Sequence, residues 1–276
     1  MPEDADGVRD AVRDAYGKVA LGVAPSCCGP SDCCGSSATV EYSEKLGYQA
    51  VQLEGAPAEA NLGLGCGNPT ALATLKAGEV VVDLGAGAGL DAFIAAKAVG
   101  PTGRVIGVDM TTEMLARARA NAVKADVAGY VEFREGIIEA LPVVADSVDV
   151  IISNCVINLS PDKAQVFREA FRVLKPGGRL AVSDIVLSAP LPEDVKQLAD
   201  AYVGCVGGAL LADDYLAAIK QAGFVDVKWE SKSAGPILAG VLDNPTAAGV
   251  IESVGAERLA AIADTVLSYN IEARKP

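Results

Sequence analysis

Apolar and polar positions follow two alternating regimes along most of this chain. Short apolar runs recur between stretches in which apolar residues return every third or fourth position. Val80-Val-Val-Asp-Leu84 is the first run, and its unbroken apolar character predicts a parallel strand covered on both faces. Asp91–Val99 then reads as a helix and Gly103–Asp109 as a second strand. A helix capped by Thr112 and carrying Met114, Leu115 and Ala118 follows, then a third strand at Val131–Arg134 and a fourth at Ser147–Ser153. The helix around Ala164–Leu174 is stopped by Lys175-Pro-Gly-Gly178, and Arg179–Val186 is strand five. Strands alternating with helices specify an α/β fold, a doubly wound, mostly parallel sheet with right-handed crossovers.

The flanks are less regular. Residues 3–20 place Val8, Val12, Ala15 and Val19 at helical spacing and read as a packing helix. Beyond Pro190, a helix over Leu191–Gly208, another over Asp213–Ala222 and a strand over Gly223–Glu230 are expected. Residues 235–276 carry a helix near Ala256–Leu267 and no motif. The chain thus divides into residues 1–70, a helix and a cysteine-rich loop leading into the core, residues 71–190, the sheet domain, and residues 191–276, a smaller acceptor-binding and C-terminal region.

Composition narrows the function. With 276 residues, 51% of them hydrophobic, the chain can bury a full core. A formal charge of −13 argues against a nucleic-acid partner, since phosphate contacts need clustered Lys and Arg. No apolar run reaches membrane-spanning length and the first residues are acidic, so no membrane partner and a cytoplasmic location are expected. Seven cysteines in such a chain suggest thiolate chemistry or metal binding more than structural disulfides. There is no histidine, so any reaction here runs without imidazole.

The candidate chemistry sits in loops at strand ends. Asp83-Leu-Gly85-Ala-Gly87-Ala-Gly89 closes the first strand with three alternating glycines, which bring backbone N–H groups close to a ligand. Asp109 ends the second strand about 20 residues on, where α/β folds hold a ribose. Ligands in such sheets bind beyond the carboxyl ends of the strands, so Gly85, Asp109, Gly136, Ile137, Asn154 and Cys155 should face one crevice. Cys66 lies between glycines in Leu62-Gly-Leu-Gly-Cys-Gly-Asn-Pro69, surroundings that favour a functional thiol. Pro25–Ser37 holds two doublets, Cys27-Cys28 and Cys33-Cys34, at a spacing that suits a zinc pair or a thiol-bearing lid.

The glycine loop, the strand-two acid and Lys175-Pro-Gly-Gly178 together resemble the class I S-adenosylmethionine-dependent methyltransferases, with their Rossmann-like sheet. Within that superfamily the chain resembles the arsenite methyltransferases over about Tyr16 to Glu230. The likeness rests on Leu62–Pro69, Val108-Asp-Met-Thr111, Ser153-Asn-Cys-Val-Ile-Asn-Leu-Ser-Pro-Asp162 and Tyr202-Val-Gly-Cys205. It implies S-adenosylmethionine as donor, with Gly85, Gly87 and Gly89 along its methionine end, Asp109 on the ribose, and Met110 and Ile137 on the adenine. Asp83 would order the loop, and Asn154 would contact the methionine part or the acceptor. The resemblance also assigns Cys66, Cys155 and Cys205 as thiolate ligands of arsenic(III), delivered as arsenite or its thiol conjugates. A fourth cysteine in the N-terminal loop, Cys28 or Cys34, would pair with Cys66 during reduction, regenerated by an external thiol of thioredoxin or glutathione type. A methyltransferase for an organic small molecule or another thiophilic metalloid is the alternative. A non-catalytic metal-binding or redox-sensing protein built on the Cys27–Cys34 loop is a more distant one.

Overall fold

The computed structural model describes residues 5–23, 37–192, 204–234 and 262–276. Seven strands form one sheet in the order β3-β2-β1-β4-β5-β7-β6. They are β1 Val80–Leu84, β2 Arg104–Asp109, β3 Val131–Glu135, β4 Val148–Asn154, β5 Leu174–Leu187, β6 Val225–Ser233 and β7 Val266–Arg274. The first five strands in that order pair in parallel, and β7 runs antiparallel to both β5 and β6.

Period-two alternation within the apolar runs divides the core in two. Val81, Val105, Val131, Val150 and Ile152 point to one face, where α5 (Leu90–Val99) and α6 (Thr112–Lys124) cover them. Val82, Leu84, Ile106, Val108, Ile151 and Val182 point to the other, against α7 (Lys163–Val173) and the Ala212–Gln221 helix. Both faces being covered is why these strands carry so few polar residues. No helix among the described residues is long and apolar enough to cross a membrane.

Before β1 lie α1 (Ala5–Ala20), α2 (Ser37–Lys45), α3 (Ala50–Leu53) and α4 (Pro69–Leu72). The packing face of α1 includes Val12, Tyr16, Gly17, Val19 and Ala20, while Ala15 is exposed. Thr111, rather than Thr112, occupies the N-cap of α6, and its own N–H is bound by Asp109 Oδ1 at 2.8 Å. Lys175–Gly178 does not separate helix from strand. Leu174 already pairs with Val148 and Arg179 with Val150, so the four residues between them form a bulge inside β5.

The expected helix near Ala256–Leu267 falls partly on residues 256–261, outside the described residues. Val266 and Leu267 instead begin β7, inserted between β5 and β6. Of the helix expected over Leu191–Gly208, residues 193–203 are outside the description and Gly204–Gly207 form one helical turn.

Lys275, just past β7, ties the sheet to the end of α7. Its Nζ donates to Asp146 Oδ1 at 2.7 Å, Phe171 O at 2.8 Å and Leu174 O at 2.7 Å, and lies 4.7 Å from the centre of the Phe171 ring. A cation there satisfies carbonyls that the helix end leaves open. Lys275→Met should destabilise the protein by about 2 kcal/mol in urea unfolding, because those carbonyls lose a charged donor in a buried setting.

Candidate functional site

At the carboxyl ends of β1, β2 and β4 the strand order reverses and leaves a crevice. Gly85, Gly87, Asp83, Asp109, Met110, Gly136, Ile137, Asn154 and Cys155 all line it. Gly89 does not. It stands at φ 99° at the start of α5, and a Cβ there would meet Phe93 Cε2 at 2.6 Å and Phe133 Cζ at 3.0 Å. Gly87, at φ 52°, backs only on Met114 Sδ at 3.9 Å, so its surroundings are open.

Four buried carboxylates line the crevice, Asp83, Asp91, Asp109 and Glu139. Asp109 accepts the Gly87 N–H at 2.9 Å through Oδ2, which couples the glycine loop to the end of β2. Burial pushes the Asp109 carboxyl up, and hydrogen bonds from Thr111 and Gly87 oppose this. Burial, then repulsion from Asp91 and Asp109, holds the Asp83 carboxyl well above the usual range, and its Oδ2 atom is buried without a hydrogen-bond partner. Burial raises Asp91 to about 6. Arg9, the basic residue of the lining, is engaged by Asp6 and Glu139. A crevice lined by acids and an open glycine turn suits a cationic ligand of nucleoside type.

Asp91 and Tyr48 belong to the site although no sequence motif marks them. Tyr48 Oη donates to Asp91 Oδ1 at 2.7 Å, and Asn154 Nδ2 lies 2.8 Å from Tyr48 Oη, 3.0 Å from Asp91 Oδ2 and 3.0 Å from Gly67 O. Asn154 Oδ1 accepts the Cys66 N–H at 2.9 Å. One amide therefore joins the acidic wall to the cysteine loop. The signal for Asp91 was an acid one residue into an apolar helix after the glycines; Tyr48 lies in a run without pattern.

The three cysteines converge just beyond this amide. Cys66, Cys155 and Cys205 are buried, free of disulfides and packed in one apolar cluster with Ile185, Leu187 and Val206. The sulfurs of Cys66 and Cys155 lie within 4.8 Å of each other. Cys66 Sγ faces Ser183 O at 3.4 Å, and Cys205 Sγ faces Cys155 O at 3.3 Å and Tyr16 Oη at 4.0 Å. Cys155 stands at φ 59°, uncommon for a residue with a side chain, which turns the chain off β4. Burial pushes the Cys66 thiol up to about 12, and hydrogen bonds to Cys205 and Cys66, then burial, hold Cys155 well above its usual value. Both keep their protons at neutral pH. Cys28 and Cys34 lie outside the described residues.

Residues 75–231 match a family model described as a methyltransferase domain. The arsenite methyltransferase of Halobacterium salinarum is 44% identical over 281 aligned positions, covering 99% of this chain and 68% of that protein. The chain belongs to the arsenite methyltransferase family. The Homo sapiens arsenite methyltransferase is 38% identical over 52% of this chain, and the chain spans 40% of its length, against 62% of the Aquipseudomonas alcaligenes protein of the same name. The crystal structure of CrArsM, an arsenic(III) S-adenosylmethionine methyltransferase from Chlamydomonas reinhardtii, superposes with a TM-score of 0.60 at 33% identity, covering 86% of this chain and 73% of that one. The sheet is thus that of a methyltransferase-domain protein of this family.

The two glycines should separate by experiment. Gly89→Ala must displace a packed phenyl ring as well as adopt a left-handed backbone, and should cost about 3 kcal/mol in urea unfolding, against about 1 kcal/mol for Gly87→Ala. Gly87→Ala should be the more damaging to donor binding, measured by titration calorimetry with S-adenosylmethionine.

Proposed function

We propose that this protein transfers methyl groups from S-adenosylmethionine to arsenic(III) held by Cys66, Cys155 and Cys205. The observation that carries the reading is the position of Cys155, which lines the acidic crevice, has its sulfur within 4.8 Å of that of Cys66 and accepts Cys205 Sγ on its carbonyl oxygen at 3.3 Å. A donor in the crevice and an acceptor on the thiols therefore meet at one residue.

The acidic crevice fits the donor. Asp109, anchored by two backbone N–H groups, keeps lone pairs for a ribose diol. Met110 and Ile137 offer apolar surface to the adenine, the turn at Gly85 and Gly87 admits the methionine part, Asp83 orders the loop beneath it, and Asp91 balances the donor's positive charge. When bound, this donor supplies an electrophilic methyl on sulfonium, and the electron pair of the breaking C–S bond stays on the donor's sulfur.

Loading of arsenite needs no preformed thiolate. Each thiol gives its proton to a hydroxide of arsenite, three As–S bonds replace three As–O bonds, and three waters leave. Soft sulfur ligands suit this soft centre. The arsenic lone pair is a nucleophile with no proton to lose, which accommodates a chain without histidine. The chain's part in the transfer is placement, with Asn154 holding the Cys66 loop to the acidic wall. Arsenic is oxidised by two electrons in the transfer, and two thiols joining as a disulfide return it to the trivalent state. Cys66 with Cys28 or Cys34 is the proposed internal pair, restored by an external thiol such as thioredoxin or glutathione.

Incubation of the full chain with arsenite, S-adenosylmethionine and a thiol, with arsenic species resolved over time, should yield methylated arsenicals. Turnover of carbon or oxygen acceptors alone would overturn the reading. Cys155→Ser and Cys205→Ser should each abolish arsenic methylation and leave donor affinity within about twofold, since neither thiol is proposed to bear donor binding energy. Donor affinity itself should depend on pH. The Asp91 carboxyl is neutral below about 6, and a cation selects its ionised form. Donor Kd should therefore be flat above that pH and weaken by up to about tenfold per unit below it, as expected for release of one proton. Titrations between mildly acidic and neutral pH check this, and Asp91→Asn should flatten the profile.

A further inference from the structure

Behind the thiols, on β5, lies a carboxylate that arsenic chemistry does not call for. Asp184 is fully buried. One of its oxygens lies within 4.8 Å of both the Cys66 and Cys155 sulfurs, which are themselves within that distance of each other. Cys205 adjoins the same group, its Sγ 3.3 Å from the Cys155 carbonyl oxygen. We propose that Cys66, Cys155 and Asp184, with Cys205 at hand as a third sulfur, form a site for a thiophilic divalent cation of the zinc and cadmium class, which competes there with arsenite.

The donor set carries the argument. A tetrahedral zinc with metal–sulfur bonds of about 2.3 Å and metal–oxygen bonds of about 2.0–2.2 Å spaces its ligand atoms roughly 3.5–3.8 Å apart. The observed group, with its ligand atoms all within 4.8 Å of one another, needs at most about an ångström of closure to reach that size. Its carboxylate is already oriented. Asp184 Oδ1 accepts Asn158 Nδ2 at 2.9 Å and the Ile185 N–H at 2.9 Å, and Oδ2 accepts Tyr215 Oη at 2.9 Å. Oδ2, with a single donor, keeps a lone pair for a metal. Outer hydrogen bonds of this kind fix the direction of a ligating carboxylate.

Charge separates the two occupants. Trivalent arsenic is neutralised by three thiolates and has no need of Asp184. A dication binds two thiolates and the Asp184 carboxylate, whose protons pass to solvent, and the remaining sulfur completes its tetrahedron. The competition between them rests on the reading that these thiols hold arsenic; binding of the cation does not.

The test uses the reduced full chain with Cys27, Cys28, Cys33 and Cys34 replaced by serine, titrated with cadmium(II) and followed by ultraviolet thiolate-to-cadmium charge transfer. One cadmium per chain is expected, lost in Cys155→Ser and displaced by arsenite. Asp184→Asn should weaken cadmium by at least about tenfold, the loss typical when a metal site's carboxylate support is removed, and leave arsenite binding within about twofold. X-ray absorption at the cadmium edge of the Asp184-containing protein gives an independent readout, with a mixed sulfur and oxygen shell expected. Absence of the charge-transfer band at equimolar cadmium, an all-sulfur shell, or equal cadmium affinity in Asp184→Asn each overturns the proposal. Equal loss of cadmium and arsenite in Asp184→Asn overturns the selective role of the carboxylate. Cadmium that binds but is not displaced by arsenite leaves the metal site standing, overturns the competition and counts against arsenic on these thiols.

Discussion

The pairing of β1 between β2 and β4 is the constraint on which the rest of the molecule depends. Val81–Leu84 pairs in parallel with Val105–Val108 on one side and with Val150–Ser153 on the other. Chain connections leaving β1 and β4 must then pass to opposite faces of the sheet, and the loops beyond their carboxyl ends separate. The crevice is the gap so formed. Its floor is an acid and a glycine turn because β1 ends there, and its far wall is Asn154 and Cys155 because β4 ends beside it.

Asn154 extends that constraint to the cysteine loop. Residues 61–68 are not part of the sheet, yet their backbone is tied to it from several sides. Tyr42 Oη donates to Gly65 O at 3.3 Å, Ser268 Oγ to Cys66 O at 2.8 Å, and the Cys66 N–H to Asn154. Gly65 has no room for a side chain, since a Cβ would lie 2.7 Å from Asn154 Nδ2. A loop rich in glycine is thus held as firmly as a strand. Firm placement is what a reaction governed by the distance between two heavy reactants requires.

Burial favours the neutral form in both halves of the site. It raises the carboxyls of Asp83, Asp91 and Asp109, so that the free crevice carries less charge than its composition suggests and gains from a cation. It also keeps the Cys66 thiol protonated, as the neighbouring thiols, then burial, keep that of Cys155, which limits adventitious oxidation and still allows exchange with hydroxide ligands.

The parallel core was legible from residue pattern alone, because strands buried on both faces must be apolar throughout and their connecting helices must be periodic. The glycine turn, Asp109 and the strand-four end at Asn154 were legible for a related reason, that crossover topology places strand ends together whatever the side chains. Other features depended on contacts between distant segments. β7 alternates apolar Leu267, Tyr269, Ile271 and Ala273 with polar Ser268, Asn270, Glu272 and Arg274 and so carried a strand pattern; its place in the sheet, between β5 and β6, was decided by the partners they supply on both edges. Gly89 differs from Gly87 only through Phe93 and Phe133. Tyr48, Asp91 and Asp184 acquire their parts from neighbours 43, 63 and 31 residues away, namely Asp91, Asn154 and Tyr215. Local periodicity and loop chemistry determined the sheet and the ligand-bearing ends of its strands. Which buried polar groups meet, and with what pKa, was decided by tertiary packing, because those energies depend on distances that no local stretch of sequence encodes.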